Sequence, residues 1–192
     1  MLAGLLGQIV TPAAGNRLLE GVDWVGDNSV FGGAYPGDGA YLDWLTAHAD
    51  RADRCLFAVA PDVVCDAEAT WERSAPMLGP IRALGLPVGY VAQNGATPAN
   101  LPFAAFDALF IGGDTEWKLG PEARALVTAA RDRGVPVHMG RVNSRRRLRY
   151  AAAIGCDSAD GTFLAHGPNR NLPQLLGWLR ELEHPALFEA VS

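Results

Sequence analysis

Short apolar runs alternate along this chain with longer amphipathic stretches, and the alternation is regular from residue 8 to residue 182. The runs are Gln8 to Thr11, Asp23 to Asp27, Cys55 to Ala60, Val88 to Ala92, Ala108 to Ile111, Val135 to Met139 and Cys156 to Ala159. Their apolar residues stand side by side instead of every second position, which is the pattern of a strand buried on both faces of a parallel sheet. Between them the spacing predicts helices over 40–52, 66–84, 121–133 and 144–154, with a last one over 171–182. Asp66 and Ser144 are suited to cap helix starts, Pro121 fits a first helical turn, and Gly85, Gly134 and Gly155 stand where helices stop.

The result is a series of βα units with no Ser/Gly linker, composition shift or repeat to divide it, so residues 1–192 read as one domain. Such a series builds either an open doubly wound sheet or a barrel. The polar residues decide between them. Asp27, Asp62, Gln93, Asp114, Arg141 and Asp160 each fall at or just after the end of a strand. Several strands would thus feed one rim, as in a barrel, whereas an open sheet gathers its ligand at a single switch point. The fold class expected is therefore α/β, a TIM-like (β/α) barrel. Seven strands are visible where a full barrel has eight, so the ring is incomplete or closes through the N-terminal segment.

Composition narrows the class further. Of 192 residues, 49% are hydrophobic and 19% charged, enough for one buried core and too apolar for a disordered chain. No apolar run approaches the ~20 residues of a membrane helix. Met1 to Leu6 lacks the basic start of a secretory signal, so a cytoplasmic protein is expected. Cys55, Cys65 and Cys156 are odd in number and have no C-x-x-C spacing, which predicts reduced, buried thiols. Net charge is −5, so the chain has no global basic footprint and any nucleic-acid contact must be local.

The candidate chemistry lies in carboxylates. Asp27, Asp62, Asp157 and Asp160 all fall near strand ends, and carboxylates sharing a pocket acquire separated pKa values, so that one can act as acid and another as base or nucleophile. Helix capping accounts for any one of them singly, but not for the set. Gly112-Gly113 follows a strand and would let a ligand approach the backbone, or simply form a tight turn. Arg141, Arg145, Arg146, Arg147 and Arg149 surround the start of a helix, where arginines and free N–H groups together suit phosphate; a solvated face is the alternative. Lys118, the only lysine, is grouped with them as a phosphate contact. His138 reads as a satisfied core residue, His48 and His184 as surface, and His166 as a loop residue after the last strand, within reach of the site only as the lesser alternative. No His, Cys and carboxylate set has metal-ligand spacing, so neither metal nor cofactor is expected.

Six short segments, in order, resemble motifs of the tRNA-guanine transglycosylases and their DNA-acting relatives that insert 7-deazaguanines. Asp27-Asn28-Ser29-Val30-Phe31-Gly32 is similar to the family's D-S-G-G-[FY]-Q, and Phe57 to Asp62 falls where it has M-A-F-D-E. Gly89 to Gly95 resembles G-I-V-Q-G-G, and Ile111-Gly112-Gly113 its I-G-G. Val137 to Val142 resembles Y-L-M-G-V-G, and Gly155 to Asp160 tracks G-x-D-x-F-D. The resemblance implies Asp160 as nucleophile and Asp27 as general acid/base. It implies Asp62, Gln93, Gly112 and Gly113 as base-recognition groups, with Phe31 and Met139 sandwiching the flat base. Asp157 is the alternative nucleophile. The family's zinc site has no counterpart here, and D-S-G-G has become D-N-S-V.

Together these readings predict an enzyme that breaks or exchanges the N-glycosidic bond of a modified or flipped-out base, with DNA rather than tRNA as the polymeric partner. The alternatives are a barrel enzyme acting on a free nucleoside or small sugar phosphate, and a catalytically silent module that binds modified bases.

Overall fold

The computed structural model describes residues 5–183. Seven parallel strands form one sheet in sequence order: β1 (Gln8–Val10), β2 (Trp24–Gly26), β3 (Cys55–Val59), β4 (Val88–Ala92), β5 (Ala108–Ile111), β6 (Val137–Met139) and β7 (Ser158–Ala159). Each strand pairs only with its sequence neighbours, and β1 does not meet β7. The sheet is a curled, incomplete TIM-like barrel. All seven strands expected from the apolar runs are present, β4 and β5 at their full expected length and the other five shortened at their ends.

The helices are α1 (Asp38–Thr46), α2 (Ala67–Ala83), α3 (Thr115–Lys118), α4 (Pro121–Arg131), α5 (Arg145–Ile154) and α6 (Pro168–Glu183). The caps are those the sequence predicts: Asp66 accepts from the Ala69 N–H, Ser144 from the Arg147 N–H, and Gly155 ends α5 in the left-handed conformation. The helix expected over 40–52 breaks into α1 and a 3-10 segment (Ala49–Arg54). The single turn α3, too short to show a periodic pattern in the sequence, is capped by the Asp114 carboxylate, which accepts from the Trp117 N–H at 2.8 Å.

Because both faces of β2, β4, β5 and β6 are buried, alternate residues serve two different cores. Trp24, Ala58, Tyr90, Leu109, Val137 and Met139 point outward to the helices. Val25, Phe57, Val59, Val91 and Phe110 point into the barrel and pack on one another. Two glycines make the inner packing possible. A Cβ on Gly89 would lie 2.5 Å from the Phe57 ring, and one on Gly140 would lie 2.5 Å from the Phe110 ring. The two rings therefore occupy space that any other residue would close.

The thiols are only partly as expected. Cys55 is buried and Cys156 half-buried, but Cys65 is exposed; all three are free. No helix among the described residues is long and apolar enough to cross a membrane.

Candidate active site

Following β2, β3, β4 and β7 toward their C-terminal ends brings Asp27, Asp62, Gln93 and Asp160 to one pocket of about 440 Å³. Phe31, Gly113 and Arg141 complete its polar and aromatic wall. Val59, Val91 and Phe110, all inward-facing, form its floor.

The β2 end turns sharply to place its residues. Asp27 Oδ1 accepts from the Ser29 N–H at 2.8 Å, and Asn28 Oδ1 accepts from the Val30 N–H at 2.8 Å, giving two consecutive side-chain turns. Ser29 takes a left-handed backbone, φ 65°, at the position where the resembled D-S-G-G segment carries glycine. Asn28 is itself buried and donates to the Ala60 carbonyl at 2.9 Å and to Asp62 Oδ1 at 3.0 Å. Sequence reasoning passed over Asn28; its place directly after a strand-end Asp was the available signal.

Asp62 is thus held from two sides, since Gln93 Nε2 donates to its Oδ2 at 2.6 Å. Gln93 Oε1 in turn accepts from the N–H groups of Cys65 (2.9 Å) and Gly113 (2.8 Å). The Gln93 amide is therefore largely occupied in tying β3, β4 and β5 together, and Asp62 is the freer of the two toward a ligand. Burial raises the Asp62 carboxyl above its ordinary value, although Asn28 and Gln93 pull it back.

Asp27 and Asp160 are driven apart. Burial raises Asp27, and the nearby Asp160 and Asp62 add to the rise, against the Ser29 N–H and His138. Burial also pushes Asp160 up, but His138, the Arg141 N–H and Lys118 outweigh it and hold the carboxyl below its ordinary value. One pocket therefore contains a carboxyl disposed to keep its proton and another disposed to lose it.

Arg141 adopts φ 59°, lines the same pocket and donates its N–H to Asp160. Its guanidinium stands 4.3 Å from the centre of the Phe31 ring and donates to the Gly113 carbonyl. Phe31 remains 63% exposed, so an aromatic surface is presented at the pocket mouth.

Other expected residues are placed elsewhere. Met139 is fully buried on the outward face of β6, among the helices, and cannot sandwich a base. Asp157 precedes β7 and lies at the opposite end of the barrel, where its Oδ2 accepts from the Val137 N–H at 2.7 Å; it is a strand staple and leaves the catalytic set. Gly112 does not line the pocket, and a side chain there would collide with Val91 and Gln93. Lys118 is buried and donates to the Gly140 carbonyl, so it is not presented to phosphate; burial, with Arg141 beside it, lowers its pKa to about 8. Arg145 is paired with Glu181 at 2.7 Å. Arg146 and Arg149 are exposed and make no ion pair among the described residues, and neither reaches the pocket wall. His48 is half-buried against Trp44 and Trp24, His166 is exposed away from the pocket, and His184 lies outside the described residues. Among the described residues no three His, Cys, Asp or Glu side chains could hold a metal ion.

His138 was the larger omission. It faces the barrel interior on β6, 4% exposed, between Phe57 (ring centres 5.4 Å apart) and Phe110 (4.7 Å). Its Nδ1 is 2.8 Å from Ser158 Oγ, and its Nε2 is 3.5 Å from Asp160 Oδ2. An apolar run cannot show which of its members points inward, so the residues alone gave no sign of this pairing.

No protein-family model matches the chain, and no curated protein matches it in sequence. Solved structures share its fold. The tryptophan synthase alpha-subunit of Pyrococcus furiosus superposes with a TM-score of 0.55 at 13% identity, over 84% of this chain and 66% of that one. Tryptophan synthase from M. tuberculosis gives 0.51 at 19% identity, over 84% and 60%. A putative glycerophosphoryl diester phosphodiesterase from Silicibacter pomeroyi gives 0.50 at 16%, over 82% and 52%. The chain thus spans roughly three-fifths of the length of the barrels it resembles, and at these identities the likeness is one of fold: seven parallel strands and their helices make part of a TIM barrel.

Proposed function

We propose that the chain is a TIM-barrel enzyme that breaks the glycosidic bond of a free nucleoside or a closely similar small sugar derivative, bound in the rim pocket. The observation that carries this reading is the convergence of Asp27, Asp62 and Asp160 on one pocket whose surroundings push Asp27 up and hold Asp160 down. Glycosidic cleavage requires that combination: a protonated carboxyl for the leaving group and an anion for the electron-poor sugar carbon. The pocket volume, about 440 Å³, falls in the range of small-molecule sites. Tryptophan synthase and a putative phosphodiesterase, enzymes by name, share the fold, which favours an enzyme over a binding module.

In this reading the flat base rests against the exposed Phe31 ring, and Asp62 hydrogen-bonds its edge. Asp27 gives its proton to the departing nitrogen as the C1′–N bond breaks. Asp160 stabilises or captures the resulting cationic C1′. Water then adds to C1′, and its proton returns to Asp27.

A second reading keeps the same chemistry on a modified or flipped-out base in DNA, as the transglycosylase resemblance implies. It is favoured by Arg146 and Arg149, solvent-exposed in the first turns of α5, whose N-terminus faces the same rim. Mass spectrometry of bases released from a nucleoside panel and from DNAs carrying modified bases tests both. Release from nucleosides with no effect of DNA supports the first reading. Release only from DNA supports the second, and the double variant R146Q/R149Q should then flatten the dependence of log affinity on log salt by about two. Stoichiometric binding without product would make the chain a binding module, and no release and no binding by folded protein would overturn both readings.

A further inference from the structure

The proposed chemistry uses Asp27, Asp62 and Asp160, and leaves unused the histidine buried beneath them. Resting on the reading of Asp160 as the anion of the site, we propose that His138 is a positioning residue for Asp160, carrying its proton on Nε2 and aiming it at Asp160 Oδ2, with Ser158 selecting that tautomer from the other side of the ring.

The geometry leaves little choice of tautomer. Nε2 is 3.5 Å from Asp160 Oδ2 and, among the described residues, has no other polar partner, and it is buried from water. Were Nε2 unprotonated, its lone pair would face the carboxylate at that distance, a repulsion in a region without solvent to relieve it. With Nε2 protonated, Nδ1 becomes an acceptor, and the Ser158 hydroxyl, 2.8 Å away, can donate to it. Ser158 and Asp160 lie two residues apart at the end of β7, so both face the inward side, where β6 presents His138; the ladder sets Ser158 directly opposite it. The ring cannot swing away, because Phe57 and Phe110 hold it and Gly89 and Gly140 let those rings come close.

The remaining groups around the carboxylate do different work. The Arg141 N–H donates to Oδ1, the other oxygen of Asp160, so the two oxygens have separate donors. Lys118 lies on the outer side of the sheet and acts on Asp160 through space, and its own ammonium is bonded to the Gly140 carbonyl. Asp27 approaches from β2 and opposes a second negative charge. Asp62, from β3, acts on Asp27, while Tyr41 lies behind the β2 end with its hydroxyl bonded to the Gly26 and Val59 carbonyls. Among these groups His138 alone is aimed at Oδ2, and so fixes which way that oxygen faces. This differs from the role of a packed core histidine, which would be indifferent to Asp160.

The test requires no substrate, so its outcome is separable from that of the glycosidic reading. Ring-¹⁵N spectra of the full chain should show His138 as the Nε2–H tautomer at neutral pH. Selectively ¹³C-labelled aspartate should show the Asp160 carboxyl titrating below the ordinary range. In His138→Gln the Asp160 titration should move up, by about one pH unit or more. In Ser158→Ala, which keeps the imidazole and removes one hydroxyl, it should move up by less, and the His138 signals should become a mixture of tautomers. If His138→Gln fails to fold, the Ser158→Ala spectra decide alone. An Nδ1–H tautomer in the parent, or an Asp160 titration that ignores Ser158→Ala and His138→Gln alike, would overturn the proposal.

Discussion

The two ends of this barrel use the same residue for opposite purposes. At the N-terminal end Asp107 and Asp157 each precede a strand, and each turns its Oδ2 back to the first N–H of the strand before: Val88 at 2.8 Å and Val137 at 2.7 Å. Both are exposed, and Asp107 also pairs with Arg82. At the C-terminal end Asp27, Asp62 and Asp160 follow their strands and are withdrawn from water into one pocket. An exposed carboxylate that accepts a backbone N–H stabilises a strand start. Crowded, buried carboxylates cannot all keep theirs. What separates a staple from a candidate catalyst here is one strand length, not residue type.

The sharpest way to break this contrast is to remove one charge at each end. Asp160→Asn should lower turnover of a responsive substrate by roughly 10³-fold or more, with stability within about 1 kcal/mol of the parent. Asp157→Ala should do the reverse: activity retained, and stability lowered by about 1–2 kcal/mol because the Val137 N–H loses its acceptor. Kinetics and denaturant unfolding on both variants check the pair. Loss of activity in Asp157→Ala alone would put the chemistry at the wrong end of the barrel.

A second comparison lies within the rim and depends on pH. A carboxyl whose pKa is raised by folding binds its proton more tightly in the native state. Its contribution to stability therefore falls as pH rises from the ordinary carboxylate range through the raised value. Asp27→Asn keeps the Oδ1 acceptor for Ser29 and removes the charge, so it should stabilise the protein at neutral pH, and the gain should vanish in acid. Asp160 is shifted the other way: its contribution is present above the ordinary range and is lost as pH falls through its lowered value. Thermal unfolding of Asp27→Asn and Asp160→Asn across pH 3 to 8 should show opposite trends. Parallel trends would mean that the two carboxyls are not differentiated.

The smallest expected effect is at the β2 turn. Ser29 has φ 65° and a buried hydroxyl without a partner among the described residues, so Ser29→Gly should raise stability by about 0.5–1 kcal/mol, read from the denaturant midpoint. A loss would show that the Ser29 side chain has an unrecognised role at the site.

Strand positions were legible because apolar runs bounded by Gly, Pro and Asp are local signals, and the rim was legible because it is defined by where those runs stop. The face of each strand was not. Met139 and His138 are neighbours in one apolar run, and in a sheet buried on both sides no polar alternation tells which of them looks inward. Asp157 and Asp160 are three residues apart, but the strand between them, β7, has only two residues, so a reading that grouped them by proximity joined opposite ends of the barrel. Lys118 was grouped with the arginines by charge, whereas the short helix α3, invisible as a periodic pattern at four residues, buries it between the sheet and the helices.

The shortness of β7 also bears on how the molecule would fail on warming. Asp160 sits at the end of a two-residue edge strand that is paired on one side only, to β6, among the described residues. Its backbone is fastened by its N–H to the Met139 carbonyl and by its carbonyl to the Val142 N–H, with no ladder beyond. Edges of this kind open by local fluctuation well before the interior of a sheet does. Amide exchange near Asp160 would thus be faster than in β4 or β5, and heating would detach the Asp160 carboxylate from His138 while strands β1 to β6 still hold together. Inactivation temperature and melting temperature should accordingly be two numbers in this protein, the first lower than the second.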